Sequence, residues 1–411
     1  MAFNDSRDDE PLRAAWAMFC QRLQQAGEQV FKDHNPATPL HRADAFRFLT
    51  QNLGQAFDLA LETKDPRFPV IHTFCTPFCK LGSDCADFIY QQAWIEGEST
   101  YRITGNRGTA RFLNFTVQGP RPPHQPGTQW PSLHEPFGDI PEANLFGHQL
   151  ETAWDGSFEL FIGGPQRSSN WLPTTPGSRK LFLRQGFDRW SERPAQLRIE
   201  RVGMAEPRPV PTPETMMEAM DWAGQFLTGL MNDWPDHPYN YSGGMVDGVN
   251  VNRFPPEPGG DATADKRRGR AVANLCWALA SDEALIVEFN SHDGLWMMTN
   301  MGVFFNSMDY LYRPVSYTPS RTRVDSDGKV RLILCHDDPG YHNWVDTQGF
   351  ERGNLTYRNL MSQARAVFRT QVVKRSQLES ALPADTARVS PEERLRQMRE
   401  RFDGIRQRFR L

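Results

Sequence analysis

DGKVRLILCHDDPGYHNWVDTQGFERGNLTYR, Asp327 to Arg358, has a counterpart in the first half of the chain, DGSFELFIGGPQRSSNWLPTTPGSRKLFLR, Asp155 to Arg184. Each stretch opens on an Asp-Gly turn and runs into alternating apolar residues. Each then passes a Pro (Pro165, Pro339), reaches Asn-Trp (Asn170-Trp171, Asn343-Trp344) and a Thr three residues on (Thr174, Thr347), and ends on Arg. The offset is 172 residues at the Asp, 173 at the Asn-Trp and 174 at the Arg, a drift that two small indels produce. Self-similarity of this kind marks a duplicated structural unit and is read before any local feature.

The alternation Phe158-Leu160-Ile162, matched by Val330-Leu332-Leu334, has the period of a strand with one face in a core. The offset is far too long for a solenoid repeat, so the economical reading is two β-rich units in tandem, each a sandwich. Asn-Trp falls just past a strand end. There the indole can seal a sandwich edge while the amide holds the turn through side-chain to backbone hydrogen bonds.

Working outward, residues 1–66 read as N-terminal helices. Leu12, Trp16, Phe19, Leu23, Ala26 and Val30 form one apolar stripe over residues 10–32, and Phe46, Leu49, Leu53, Phe57 and Leu61 another over 43–62. Residues 67–206 read as the first sandwich, with YRITGNRGT as a hairpin. Residues 207–235 comprise the PRPVPTP linker and a helix from Glu214 to about Asp233. The second sandwich spans 236–370 and opens with a long loop, 236 to 265, that carries Tyr239 and Tyr241. Residues 371–411 form a helical tail with Ser390 as N-cap and Pro391 at the first helical position. Its seam, Leu395, Met398, Phe402, Ile405 and Phe409, matches that of the first helix, so the end helices are expected to pack together or form a dimer contact. The arginines around it are read as a solvated face.

The chain of 411 residues carries 46 basic and 50 acidic side chains, a balance with no field to recruit nucleic acid. No run is long and apolar enough for a membrane span, and the N-terminus lacks a signal-peptide pattern. Six cysteines in a chain this long are no disulfide framework, which favours a reducing, cytoplasmic setting. With 27 Phe and 11 Trp there are rings enough for the cores and for an apolar pocket as well. P-loop, dinucleotide-binding, nucleophile-elbow and paired-histidine zinc motifs are missing.

These segments carry a resemblance. HDDPGYHNWVDTQGFERGNLTYR, with LIVEFN and MDYLYR upstream, and KLGSDCADFIYQQAWIEGESTYRITGNRGTA with NWLPTTPGSRKLFLRQGF in the first half, resemble the bacterial domain-of-unknown-function family numbered 1214. The similarity covers roughly residues 70 to 360 and is specific around the Asn-Trp segments and the YRITGNRGT hairpin. It implies a double jelly-roll-like arrangement, the fold the duplication also suggests, and implies no reaction. The chain departs from the family at Cys85-Ala86, where an Asn-Pro pair is expected between the two aspartates.

The expected fold is therefore mainly β with helical additions, an α+β chain of two tandem jelly-roll-like sandwiches. Candidate catalytic residues are His336, Asp338, His342 and Asp346. An imidazole beside carboxylates can act as a general base, and the first copy has Gly163, Gly164, Gln166 and Ser169 in these places. Candidate substrate-binding residues are Trp296, Tyr239, Tyr241, Asn343, Trp344, Arg102 and Arg358, with the long loop as lid. Arg102 and Arg107 are also expected to pair with Asp84 and Asp87. A metal at His336, His342 and Asp338 or Asp346, or at His72 with Cys75, Cys79 and Cys85, matches no dedicated spacing. The reading is of a homo-oligomer that binds, and transforms without a cofactor, a largely apolar or amphiphilic small molecule by hydratase-, dehydratase- or isomerase-like acid/base chemistry. A non-catalytic binding or assembly module and a metal-dependent oxygenase are the alternatives.

Overall fold

The computed structural model describes residues 9–120, 139–241, 251–254, 270–362, 364 and 366–411, with the backbone alone at 235–241, 270 and 271. In the first half, β1 (His72–Cys75), β2 (Phe88–Trp94), β4 (Phe112–Gly119), β5 (Ile140–Phe146) and β8 (Lys180–Gly186) form one sheet in the order β1-β2-β8-β4-β5. Its partner sheet holds β3 (Tyr101–Asn106), β6 (Ser157–Ile162), β7 (Trp171–Leu172) and β9 (Gln196–Arg201) in the order β7-β6-β3-β9.

The second half repeats this arrangement except for the edge strand β1. It contains β10 (Arg270–Ala278), β11 (Glu283–Asn290), β12 (Leu295–Met301), β13 (Ser316–Tyr317), β14 (Lys329–Cys335), β15 (Trp344–Asp346), β16 (Arg352–Leu360) and β17 (Arg369–Lys374). Their sheet orders are β10-β16-β12-β13 and β15-β14-β11-β17. Adding eight to every label of β2-β8-β4-β5 and β7-β6-β3-β9 reproduces both. Two jelly-roll-like sandwiches of one topology are present, mainly β with helical additions.

The Asn-Trp corners sit at equivalent places. Asn170 Nδ2 donates to the carbonyls of Glu151 and Glu159, and Asn343 Nδ2 to those of Arg323 and Arg331. Each amide oxygen accepts in return, from Glu151 N at 2.8 Å and Arg323 N at 2.9 Å. Each indole caps the preceding strand, Trp171 on Gly163 O at 3.0 Å and Trp344 on Cys335 O at 3.2 Å. In both copies the short strand runs parallel to its neighbour, β7 beside β6 and β15 beside β14. Gly156 and Gly328 take positive φ in the matched Asp-Gly turns, a conformation glycine adopts freely.

Within each sandwich the inward positions form a separate core, Leu160, Ile162, Leu181 and Leu183 in the first, Trp296, Met298, Leu332 and Leu334 in the second. The outward faces of the five-stranded sheet and of its counterpart, β10-β16-β12-β13, are also covered. Phe88, Phe112, Leu295, Met297 and Met301 join side chains from three helices in a shared central core. These helices are α1 (Asp9–Glu28), α2 (Pro39–Phe57, N-capped by Thr38) and α3 (Pro213–Tyr241). α3 continues past the expected end near Asp233 into the segment expected to open the lid.

The C-terminal helix, α4 (Pro391–Phe409), has the expected N-cap, Ser390 Oγ accepting from Glu393 N at 3.2 Å. The expectation that the end helices pack together is corrected. α1 contributes to the central core, whereas Phe402, Ile405 and Phe409 of α4 pack on the second sandwich. The solvated-face reading holds for Arg396, Arg399, Arg406 and Arg410, which are exposed, and is corrected for three others. Arg394, Arg401 and Arg408, seven residues apart on one face, are all buried because each finds carbonyls or carboxylates at strand ends.

Candidate active site at the junction of the sandwiches

The expected His/Asp constellation does not assemble as one unit. Asp338 is exposed and pairs with Arg394 at 2.8 Å. Asp346 is buried, with Arg313 on one oxygen at 2.9 Å and the backbone N–H of Gln348 on the other at 2.7 Å. His336 is half-buried, and its Nε2 has no hydrogen-bond partner. Neither carboxylate orients an imidazole; both are occupied by guanidinium groups. Among the described residues no group of three or more His, Cys, Asp or Glu is placed to hold a metal.

Trp296 is fully buried in the second sandwich, edge-on to Phe289 with ring centroids 5.0 Å apart. Met298 shares its core, whereas Met297 and Met301 face the central one. The aromatic and Met load of this strand is packing on both faces rather than a pocket lining. Arg102 lies on the outer face of the first sandwich, tied to Glu200 at 2.5 Å and Glu159 at 3.0 Å, not to Asp84 or Asp87. Arg107 donates to the carbonyls of Gly108 and Ala110 instead. Arg358 is buried between the halves and donates to Ser83 Oγ at 2.7 Å. Cys75 and Cys85 are buried, and burial pushes the Cys79 thiol up to about 12, so these thiols stay protonated at neutral pH. Tyr239 and Tyr241 lie in the last turns of α3 with side chains outside the described residues. The expected lid lies largely outside them as well.

One expected residue, His342, opens onto a cavity of about 300 Å³ where α4, the segment after β13 and the first sandwich meet. The local chain explains its walls. After β13, Thr318 and Ser320 are held by Asp188 of the first sandwich, Thr318 Oγ1 on its carbonyl at 2.7 Å and Ser320 Oγ on its carboxylate at 2.6 Å. That anchor places Arg321 over Trp190, 4.0 Å from the ring centroid. α4 crosses the other side, where a Cβ at Gly404 would fall 2.7 Å from the indole, so glycine permits the approach. Arg401 and Arg408 also face this ring at 5.2 Å.

Three buried guanidinium groups thus surround one indole. Their buried carboxylate is Asp87, 2.5 Å from Arg321 and 3.3 Å from Arg408. Burial acts against the Asp87 anion, yet the arginines beside it win and hold its pKa below the usual carboxylate range. Burial, with Arg321 and Arg408 nearby, pulls Arg401 down to about 10. Three donors on the cavity wall have no hydrogen-bond partner: Arg321 Nη1, Arg401 Nε and Gln397 Nε2. The Gln397 amide is oriented by its own oxygen, which accepts from Arg394 at 2.7 Å. Glu393 and Glu400 also line the cavity, Glu393 paired with Arg396 at 3.3 Å.

The Asn-Trp corner reaches the same cavity. Asn343 Oδ1 is fixed as an acceptor by Arg323 N, so His342 Nδ1, 3.0 Å away, donates to it and the lone pair resides on Nε2. Burial lowers the His342 pKa, helped by Arg323 and Arg394, which keeps the imidazole neutral at pH 7. Sequence reasoning singled out His342 and Asn343 but missed Trp190, Arg321, Arg401 and Gln397. The only local signal was the seven-residue spacing of arginines in the last helix.

No family model and no curated protein matches the chain. Among solved structures, an uncharacterised protein from Burkholderia cenocepacia is 30% identical, with a TM-score of 0.79 over 90% of this chain and 100% of that one. The VPA0106 protein from Vibrio parahaemolyticus is 10% identical, TM-score 0.42, over 86% of this chain and 100% of that one. An 11S globulin from Wrightia tinctoria is 10% identical, TM-score 0.20, over 84% and 94%.

Proposed function

This chain belongs to the family of the Burkholderia cenocepacia protein, and on that footing we propose that it binds a small molecule bearing an anionic group in the junction cavity. The resemblance to the family numbered 1214 is part of the same proposal. The observation that carries the reading is the excess of buried guanidinium charge around Trp190, with three unpartnered N–H donors on the cavity wall. Donors left dry and unmatched are costly, and an anion satisfies charge and hydrogen bonding together. The ligand is thus more polar at its bound end than the largely apolar molecule expected from the aromatic content.

Thermal shift and calorimetry with phosphate, citrate and benzoate, against chloride at equal ionic strength, test it. At tenfold excess over Kd a binding anion stabilises by about 1.4 kcal/mol. Arg321→Gln and Gln397→Ala are each expected to weaken binding about tenfold. No saturable binding by any of the three, or identical binding by both variants, rejects the site.

A second reading, proton transfer to His342, is favoured by the fixed tautomer. His342 Nε2 could accept a proton from a ligand held by the arginines, as isomerases and dehydratases require. Its partner is an amide, not a carboxylate, so it acts as a base without a charged orienting group. Because its folded pKa lies below the unfolded value near 6.5, the unfolded chain takes up the proton first as pH falls. Stability is therefore lost below about pH 6.5, and His342→Gln should flatten that limb. An imidazole titrating above 6.5 by NMR in the intact protein contradicts this reading.

A further inference from the structure

The outward face of the first sandwich's larger sheet changes character along its length. Reading across β2, β8 and β4 by strand register, its rows are Phe88, Gly186, Phe112; then Tyr90, Arg184, Asn114; then Gln92, Phe182, Thr116; then Trp94, Lys180, Gln118. The first row, with Tyr90 and Phe182 from the next two, belongs to the central apolar core with Met297. The last two rows are largely polar, and every residue in them is buried. An outward sheet face is ordinarily polar because water covers it. Here the polar residues are present and the bulk solvent is excluded.

Much of this polar surface is satisfied internally. Lys180 pairs with Asp139 at 2.7 Å and lies over the Trp94 ring at 4.8 Å. Arg184 Nη2 donates to Asn114 Oδ1 at 2.6 Å, and Thr116 Oγ1 bonds to Asn114 and Asn144 at 2.7 Å each. Three atoms at the polar end are not satisfied: Gln92 Oε1, Gln118 Oε1 and Trp94 Nε1. Their residues are at least nine-tenths buried, at 1%, 8% and 7% exposure. Gln92 and Gln118 flank β8 diagonally, about 12 Å apart between Cα atoms by ordinary sheet spacing, with Phe182 and Lys180 of β8 between them.

We propose that this polar end is the floor of a second binding site, for a neutral polyhydroxylated small molecule. The unmatched atoms comprise acceptors and a donor, and hydroxyl groups complement both. Lys180 is neutralised by Asp139, so the floor asks for hydrogen bonds rather than for charge. The site is separate from the junction cavity and does not depend on it.

Calorimetry and thermal shift on the full chain with glucose, ribose, sorbitol and myo-inositol at millimolar concentration test it. Saturable binding of at least one probe is expected, weakened about tenfold by Gln92→Leu and by Gln118→Leu. Both leucines are close in volume to glutamine and remove an unmatched polar group, so the unliganded variants should melt no lower than the parent. Arg321→Gln should bind the probe like the parent, which keeps failure here distinct from failure at the junction. The proposal is overturned by the absence of saturable binding, by binding undiminished in both leucine variants, or by ordered water alone on the three atoms in a crystal soaked with the probes.

Discussion

Asn343 and Asn170 make matching hydrogen bonds, but their surroundings differ. Asn343 is buried and also accepts from His342, whereas Asn170 is half-exposed and holds φ near +46°. Removing the Asn343 amide leaves two carbonyls and an N–H unpaired away from water, so Asn343→Ala is expected to cost about 3 kcal/mol. Water can replace part of the Asn170 bonding, and Asn170→Ala should cost about 1 to 2 kcal/mol. Urea denaturation of both variants checks this, and equal losses contradict the argument. Asn343 was legible from the repeat because a turn-holding amide is a local device. The bond from His342 to it followed from nothing in the repeat, since the first copy has Ser169 there.

At the scale of elements, α4 is the case where amphipathic reading found the helix and misjudged its partner. Its apolar seam and N-cap are local and were readable. Arg394, Arg401 and Arg408 are buried because strand ends of the second sandwich and Asp87 of the first offer acceptors, and no periodicity encodes that. Arg401 contacts Ser316 and carries surplus buried charge, so Arg401→Met is expected to change stability by less than about 1 kcal/mol. Asp87→Asn removes the carboxylate between Arg321 and Arg408 and should cost about 3 to 5 kcal/mol. Chemical denaturation ranks the two, and a larger loss in Arg401→Met than in Asp87→Asn refutes this account of the cluster.

At the scale of the whole molecule, the two sandwiches do not meet through a thin linker. Met297 of the second half sits 3.9 Å from Cys85 of the first, and the outward faces of the five-stranded sheet and its counterpart share one core with α1, α2 and α3. Separating the halves would expose that core, so they should unfold together. Calorimetry of the intact chain is expected to give one transition, with the first sandwich alone, residues 67–206, insoluble or molten. Two resolved transitions, or a fragment with native near-ultraviolet dichroism, would show that the halves fold independently.

The sequence by itself determined the duplicated β unit, its corners, its hairpins and the helices at either end. These are written in period-two alternation, turn residues and caps, which act over a few neighbours along the chain. Only the tertiary structure decided that the candidate aspartates are claimed by arginines, that Trp296 is core, and that His342 shares a cavity with Trp190, Arg321 and Arg401. Those groups come from segments spread over 211 residues of the chain, from Trp190 to Arg401. Burial and charge pairing between such segments depend on how the sheets stack, which no local pattern specifies.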